Sequence, residues 1–98
     1  MIVRWSGAAA DDLRDAQAYV EEFDPGAAGR MVARIVLTAN KMLAQYPEIG
    51  RPGRVSGTRE LIIAKTPYIV PYRIADGRVE ILRVFHSARK WSARFLPL

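Results

Sequence analysis

"DPGAAGRMVARIVLTANKMLAQYP", residues 24–47, decides the fold class. Ala28, Met31, Val32, Ile35, Ala39, Met42, Leu43 and Tyr46 recur at spacings of three and four, the signature of one apolar stripe along an α-helix. Both ends are marked. Asp24 is a side chain suited to accept from free N–H groups of a first turn, Pro25 takes the first helical position, where its missing N–H costs nothing, and Pro47 stops the run. A helix with one apolar stripe must bury it against another element, so the flanking sequence has to supply that partner.

Upstream, Ser6 offers an N-cap to a first helix from about Gly7 to Phe23. Leu13, Ala16, Val20 and Phe23 form its stripe, and Asp11, Asp12 and Asp15 early in the segment complement the helix dipole. Almost no linker separates the two helices, which predicts an antiparallel hairpin. Ile2 to Trp5 alternates as a short strand. Downstream, "IGRPGRVSG" (49–57) reads as a loop. Three strand-like segments follow, at Arg59–Ala64, Tyr68–Ile74 and Val79–Phe85, and Asp76-Gly77 is a two-residue hairpin signal. Pro71 cannot donate to a sheet ladder, so an edge position or a bulge is expected there. The last dozen residues suit a short helical turn ending before Pro97. The expected fold is therefore α+β, in the order β-α-α-β-β-β: an N-terminal strand and a helical hairpin packed on a mainly antiparallel sheet, in one domain over residues 1–98.

Half of the 98 residues are apolar, enough for a core without staples, and there is no cysteine for a disulfide or a thiolate metal site. "MIVRWSG" lacks the pattern of a leader, and no apolar run nears the roughly 20 residues a membrane span needs. A soluble cytoplasmic protein without membrane association is expected. The net charge of +5 is unevenly spread: residues 1–48 hold five Lys/Arg against seven Asp/Glu, and residues 49–98 hold ten against three. A half at −2 and a half at +7 favour a polyanionic target or an acidic protein partner, although a solvated basic face is the plainer reading.

A single histidine and scattered carboxylates do not assemble the three or four ligands of a zinc site, and the glycine-bearing stretches match no phosphate- or dinucleotide-binding loop. No metal and no cofactor is expected. Of the ten cations in the basic half, Arg51, Arg54, Arg59, Arg73, Arg83, Arg89, Lys90 and Arg94 are placed so that neighbouring strands could bring them to one surface. Tyr68, Tyr72 or Trp91 could stack on a base there, although tyrosines at strand spacing are more often core. RNA cleavage needs a general base and a general acid, each worth about 10²–10⁴-fold. His86 and Glu60 are the conditional candidates, against the plainer reading of His86 as a ring at the core margin bonded to backbone.

The run "IGRPGRVSGTRELIIAKTPYIVPYRIADGRVEILRVFHSARKW" together with "WSGAAADDLRDAQAYVEEFDP" resembles the RelE/ParE superfamily of bacterial toxins from type II toxin–antitoxin modules, over nearly the whole chain. "GRPGR", "GTREL", "TPYIVPYR" and "ILRVFHSARKW" carry the likeness. The resemblance implies a helical hairpin on an antiparallel sheet and a growth inhibitor neutralised by a cognate antitoxin, within a toxin–antitoxin hetero-oligomer. Members of the RelE type cut messenger RNA on the ribosome, and members of the ParE type poison DNA gyrase. Glu60, Ile62 and Ile69 stand where the RelE-type pattern has basic residues, and His86, Arg89 and Trp91 are displaced from its C-terminal site. The ParE-like branch and a gyrase target are therefore expected, with Arg59, Arg73, Arg83, Arg89, Lys90 and Trp91 as target- or nucleic-acid-binding residues. The alternatives are a metal-independent, ribosome-dependent endoribonuclease and an inactive relative that only binds antitoxin.

Overall fold

The computed structural model describes residues 1–88, so the turn expected ahead of Pro97 lies outside the described residues. Strand β1 (Ile2–Trp5) leads into helix α1 (Gly7–Glu21), and helix α2 (Pro25–Gln45) follows after Glu22, Phe23 and Asp24. Both helices start on the expected caps. Ser6 Oγ accepts from the Ala9 N–H at 3.0 Å and donates to the Leu82 carbonyl at 2.9 Å, tying α1 to the sheet; Asp24 Oδ1 accepts from the Ala27 N–H at 3.1 Å. The ends differ from expectation. Phe23 and Tyr46, placed on the apolar stripes, are 71% and 57% exposed, because α1 stops at Glu21 and α2 at Gln45, and a residue past the last turn no longer follows the stripe.

Strands β2 (Arg51–Pro52), β3 (Arg59–Ile62), β4 (Tyr68–Ala75), β5 (Arg78–Ile81) and β6 (Phe85–His86) join β1 in one sheet. The order is β1-β5-β4-β3-β2, with β6 pairing β4 beyond the end of β5. β1 runs parallel to β5, with the helical hairpin and strands β2, β3 and β4 between them in the chain, and the other pairs are antiparallel. Arg51-Pro52, expected as loop, is a short edge strand opposite Glu60 and Arg59. The hairpin at Asp76-Gly77 has φ of +54° and +72°, as a two-residue turn with two left-handed positions requires.

Pro71 is fully buried inside β4, a central strand, so the irregularity falls on its neighbour. Its carbonyl accepts from the Leu82 N–H at 2.9 Å, and the side lacking an N–H faces the same way. There the last strand, expected to be continuous over Val79–Phe85, is broken: Ile81 pairs Tyr72 and Phe85 pairs Ile69, so Leu82, Arg83 and Val84 stand opposite only Val70 and Pro71. One extra residue on one strand is a β-bulge, which ends regular pairing and re-aims side chains.

The side of the sheet facing the helices carries Leu61, Ile63, Tyr68, Val70, Tyr72, Val79, Ile81 and Val84, closed by Ala9, Ala16, Ile35, Ala39 and Leu43. Small alanines on α1 and α2 let the hairpin lie close to the sheet while the larger Ile35 and Leu43 fill the space between.

Candidate target-binding face

Strand alternation separates the candidate residues before any contact is considered. Arg59 pairs Tyr72, whose side chain is in the core, and so belongs to the helix side; Arg73 is the next residue along β4 and projects from the other face. The strand arginines therefore do not converge on one surface.

Arg59 Nη1 donates to the Glu48 carbonyl at 3.1 Å and the Gly50 carbonyl at 2.9 Å, in the segment that leaves α2. The same segment is held from inside by Tyr72, whose hydroxyl donates to the Pro47 carbonyl at 2.7 Å and accepts from the Gly50 N–H at 2.8 Å. Burial pushes the Tyr72 hydroxyl above its ordinary pKa of 10.0, against the lowering effects of the Gly50 N–H and Arg59. Tyr68 and Tyr72 are both buried, so neither presents a face for base stacking; strand parity put them under the helices.

On the opposite face, Arg73 Nε and Nη2 donate to Glu80 Oε2 at 3.1 and 3.0 Å, a pair between directly opposed residues of β4 and β5. Glu60 is 2% exposed. Its Oε1 accepts from Arg51 Nε and Nη2 at 3.2 and 3.0 Å, and its Oε2 accepts from the Arg54 backbone N–H at 2.9 Å, with the Arg54 guanidinium 3.8 Å away. A buried carboxylate is tolerable only with such partners, and here it pins the loop after β2 onto β3.

The bulge sends Arg83 to α1. Its Nε and Nη2 donate to Asp12 Oδ2 and Oδ1 at 2.7 and 2.9 Å, and Asp12 Oδ2 also accepts from the Val84 N–H at 2.9 Å. The guanidinium lies over the Phe85 ring, 4.7 Å from its centroid. Hydrogen bonds to Asp12 raise the Arg83 pKa further above its already high ordinary value, although burial acts the other way. Asp12 was expected to serve only the helix dipole; nothing local in the sequence marks it as the partner of a residue 71 positions away.

His86 sits at the sheet end, its ring edge-on to Tyr68 at 5.4 Å, with Nδ1 accepting from the Ala88 N–H at 3.1 Å. Bonding to backbone fits the plainer reading of this residue. His86 pairs Tyr68 and Glu60 pairs Pro71, three positions apart on one continuous strand, so the two titratable groups belong to opposite faces. Arg89, Lys90 and Trp91 lie outside the described residues.

A sheet of this order under a capped helical hairpin is shared with solved bacterial toxins. One is in the chromosomal ParDE toxin–antitoxin system from P. aeruginosa, with a TM-score of 0.80 and 32% identity over 88% of this chain and 95% of that one. Another is in the RelBE2 toxin–antitoxin complex from Mycobacterium tuberculosis, with a TM-score of 0.60 and 31% identity over 87% and 95%. The class is thus a RelE/ParE-superfamily toxin of a type II toxin–antitoxin system. Within it the chain belongs to the ParE toxin family: the family model described as "ParE toxin of type II toxin-antitoxin system, parDE" matches residues 3–91. Relatives at the level of sequence include a putative toxin Y4kP from Sinorhizobium fredii, 52% identical over 89 residues and 91% of both chains. Toxin RelE2 from Caulobacter vibrioides is 42% identical over 87 residues, 89% of this chain and 96% of the relative.

Proposed function

We propose that this toxin inhibits growth in the cytoplasm by binding DNA gyrase, and that its cognate antitoxin neutralises it within a hetero-oligomer. The observation that favours binding over RNA cleavage is the separation of Glu60 from His86. A general acid and a general base must reach one phosphate, and these two groups project from opposite sides of the sheet. Glu60 is, besides, sealed between Arg51 and Arg54 with both oxygens occupied.

The surface also suits a protein partner. Met1, Tyr46, Ile49 and Ile74 are exposed and, with Pro47 and Glu48, line an apolar pocket of about 560 Å³. Exposed apolar residues gathered at one place mark association surfaces more often than isolated ones do.

Expression of the toxin without antitoxin, followed by assays of gyrase supercoiling with DNA breakage and of cleavage of ribosome-bound message, tests the target. Inhibited supercoiling with intact message is expected. Message cleavage with unaffected gyrase would replace this reading with that of a ribosome-dependent endoribonuclease.

A further inference from the structure

Arg30 and Arg34 stand one turn apart on α2 and face the turn between β3 and β4 across a groove. Lys65 forms the opposite rim. It occupies the third position of the turn Ile63–Thr66, closed by the Thr66 N–H donating to the Ile63 carbonyl at 3.2 Å, and its φ is +65°. Glycine or asparagine is the ordinary choice for that backbone. The Thr66 hydroxyl secures the turn, donating to the Ile63 carbonyl at 3.0 Å and accepting from the Tyr68 N–H at 3.1 Å. The fold thus holds a lysine at a strained position directly opposite two arginines.

The groove has a volume of about 330 Å³, is lined also by Val20, Ala27, Met31 and Pro67, and has no carboxylate in its wall among the described residues. Among the described residues the ion pairs are made by other cations, and Arg30, Arg34 and Lys65 take part in none of them. Asp24 lies near the Arg30 guanidinium over Gly26, where its Oδ1 caps α2, and the two form no ion pair. Like charges at i and i+4 on a helix repel weakly, and an anion bound between them would relieve that repulsion.

We propose that this groove docks an acidic, apolar-tipped segment of a protein partner, its carboxylates on Arg30, Arg34 and Lys65 and an apolar side chain against Val20 and Met31. The apolar floor separates this chemistry from that of a nucleic-acid site, because among the described residues no aromatic side chain lines the groove for base stacking. The proposal deepens the partner half of the toxin–antitoxin reading and rests on it for the partner's identity, but its test does not depend on toxicity.

The test is fluorescence anisotropy of the full chain with three labelled probes: a 16-residue peptide of Glu-Ala-Ala-Leu repeats, the same peptide with Gln for every Glu, and a 16-nucleotide oligothymidylate. The acidic peptide binds, and binding weakens about tenfold with the Gln peptide and with the combined variant Arg30→Ser, Arg34→Ser, Lys65→Asn. The variant Arg30→Lys, Arg34→Lys keeps the charge and stays close to the wild-type value, which separates loss of charge from loss of fold. Absence of acidic-peptide binding, binding undiminished in the combined variant, or tighter binding of oligothymidylate that the combined variant abolishes each overturns the proposal. Failure of the toxin–antitoxin reading would instead leave the chain harmless in a growth assay while peptide binding persisted.

Discussion

The carboxylate of Asp12 and the guanidinium of Arg83 meet through two parallel hydrogen bonds of 2.7 and 2.9 Å, joining the first turns of α1 to the bulge after β5. Because the pair is mostly shielded from water and Asp12 also holds the Val84 N–H, it anchors the hairpin to the sheet at one end. Asp12→Ala leaves a partly buried guanidinium and a backbone donor unsatisfied, and should cost about 2–3 kcal/mol in urea unfolding. Asp12→Asn, which keeps one acceptor, should lose less.

Tyr72 anchors the other end. Tyr72→Phe preserves the ring but strands the Gly50 N–H and the Pro47 carbonyl, with an expected loss of about 1–3 kcal/mol by the same measurement.

The raised pKa of Tyr72 carries a pH dependence of definite sign. Above the ordinary value of 10.0 the unfolded chain releases the phenolic proton while the folded chain keeps it, so the unfolded state binds fewer protons and stability falls as pH rises from about 10 through the folded pKa. Well below pH 10, where the phenol is protonated in both states, this group contributes no slope. Unfolding curves between pH 8 and 11.5 should show the decline in wild type and a smaller one in Tyr72→Phe; equal slopes would contradict the assignment.

Gly50 packs where a side chain has no room: a Cβ there would lie 2.6 Å from the Tyr72 hydroxyl oxygen and 2.9 Å from the Glu60 carbonyl oxygen. The second contact is with backbone and cannot swing away. Gly50→Ala should therefore destabilise by about 1–3 kcal/mol, read as a lower melting temperature.

Glu60 and His86 separate the structural from the chemical reading. Glu60→Gln should loosen residues 51–58, seen as faster amide exchange there and a loss of about 1–2 kcal/mol, while growth inhibition at equal protein level persists. His86→Ala should likewise leave growth inhibition unchanged. Loss of toxicity in a folded, equally abundant His86→Ala protein would argue for chemistry at that ring.

The local chemistry of the chain determined its elements: the stripe from Ala28 to Leu43, the caps Ser6 and Asp24 with Pro25, and the turn at Asp76-Gly77 all depend on contacts within a few residues. These dictate the α+β order and the helical hairpin without reference to the rest of the molecule. The family was legible too, through "TPYIVPYR" and "ILRVFHSARKW". Tertiary structure alone decided which side of the sheet each strand residue faced and which charges met. Parity along β4 buried Tyr68 and Tyr72 and divided Arg59 from Arg73, and the missing N–H of Pro71 displaced its irregularity onto Leu82–Val84 in the neighbouring strand. That bulge turned Arg83 toward Asp12, and the approach of α2 to the β3–β4 turn set Lys65 opposite Arg30 and Arg34. Such pairings are nonlocal: they follow from register and packing, and charge count in a single sequence carries no record of either.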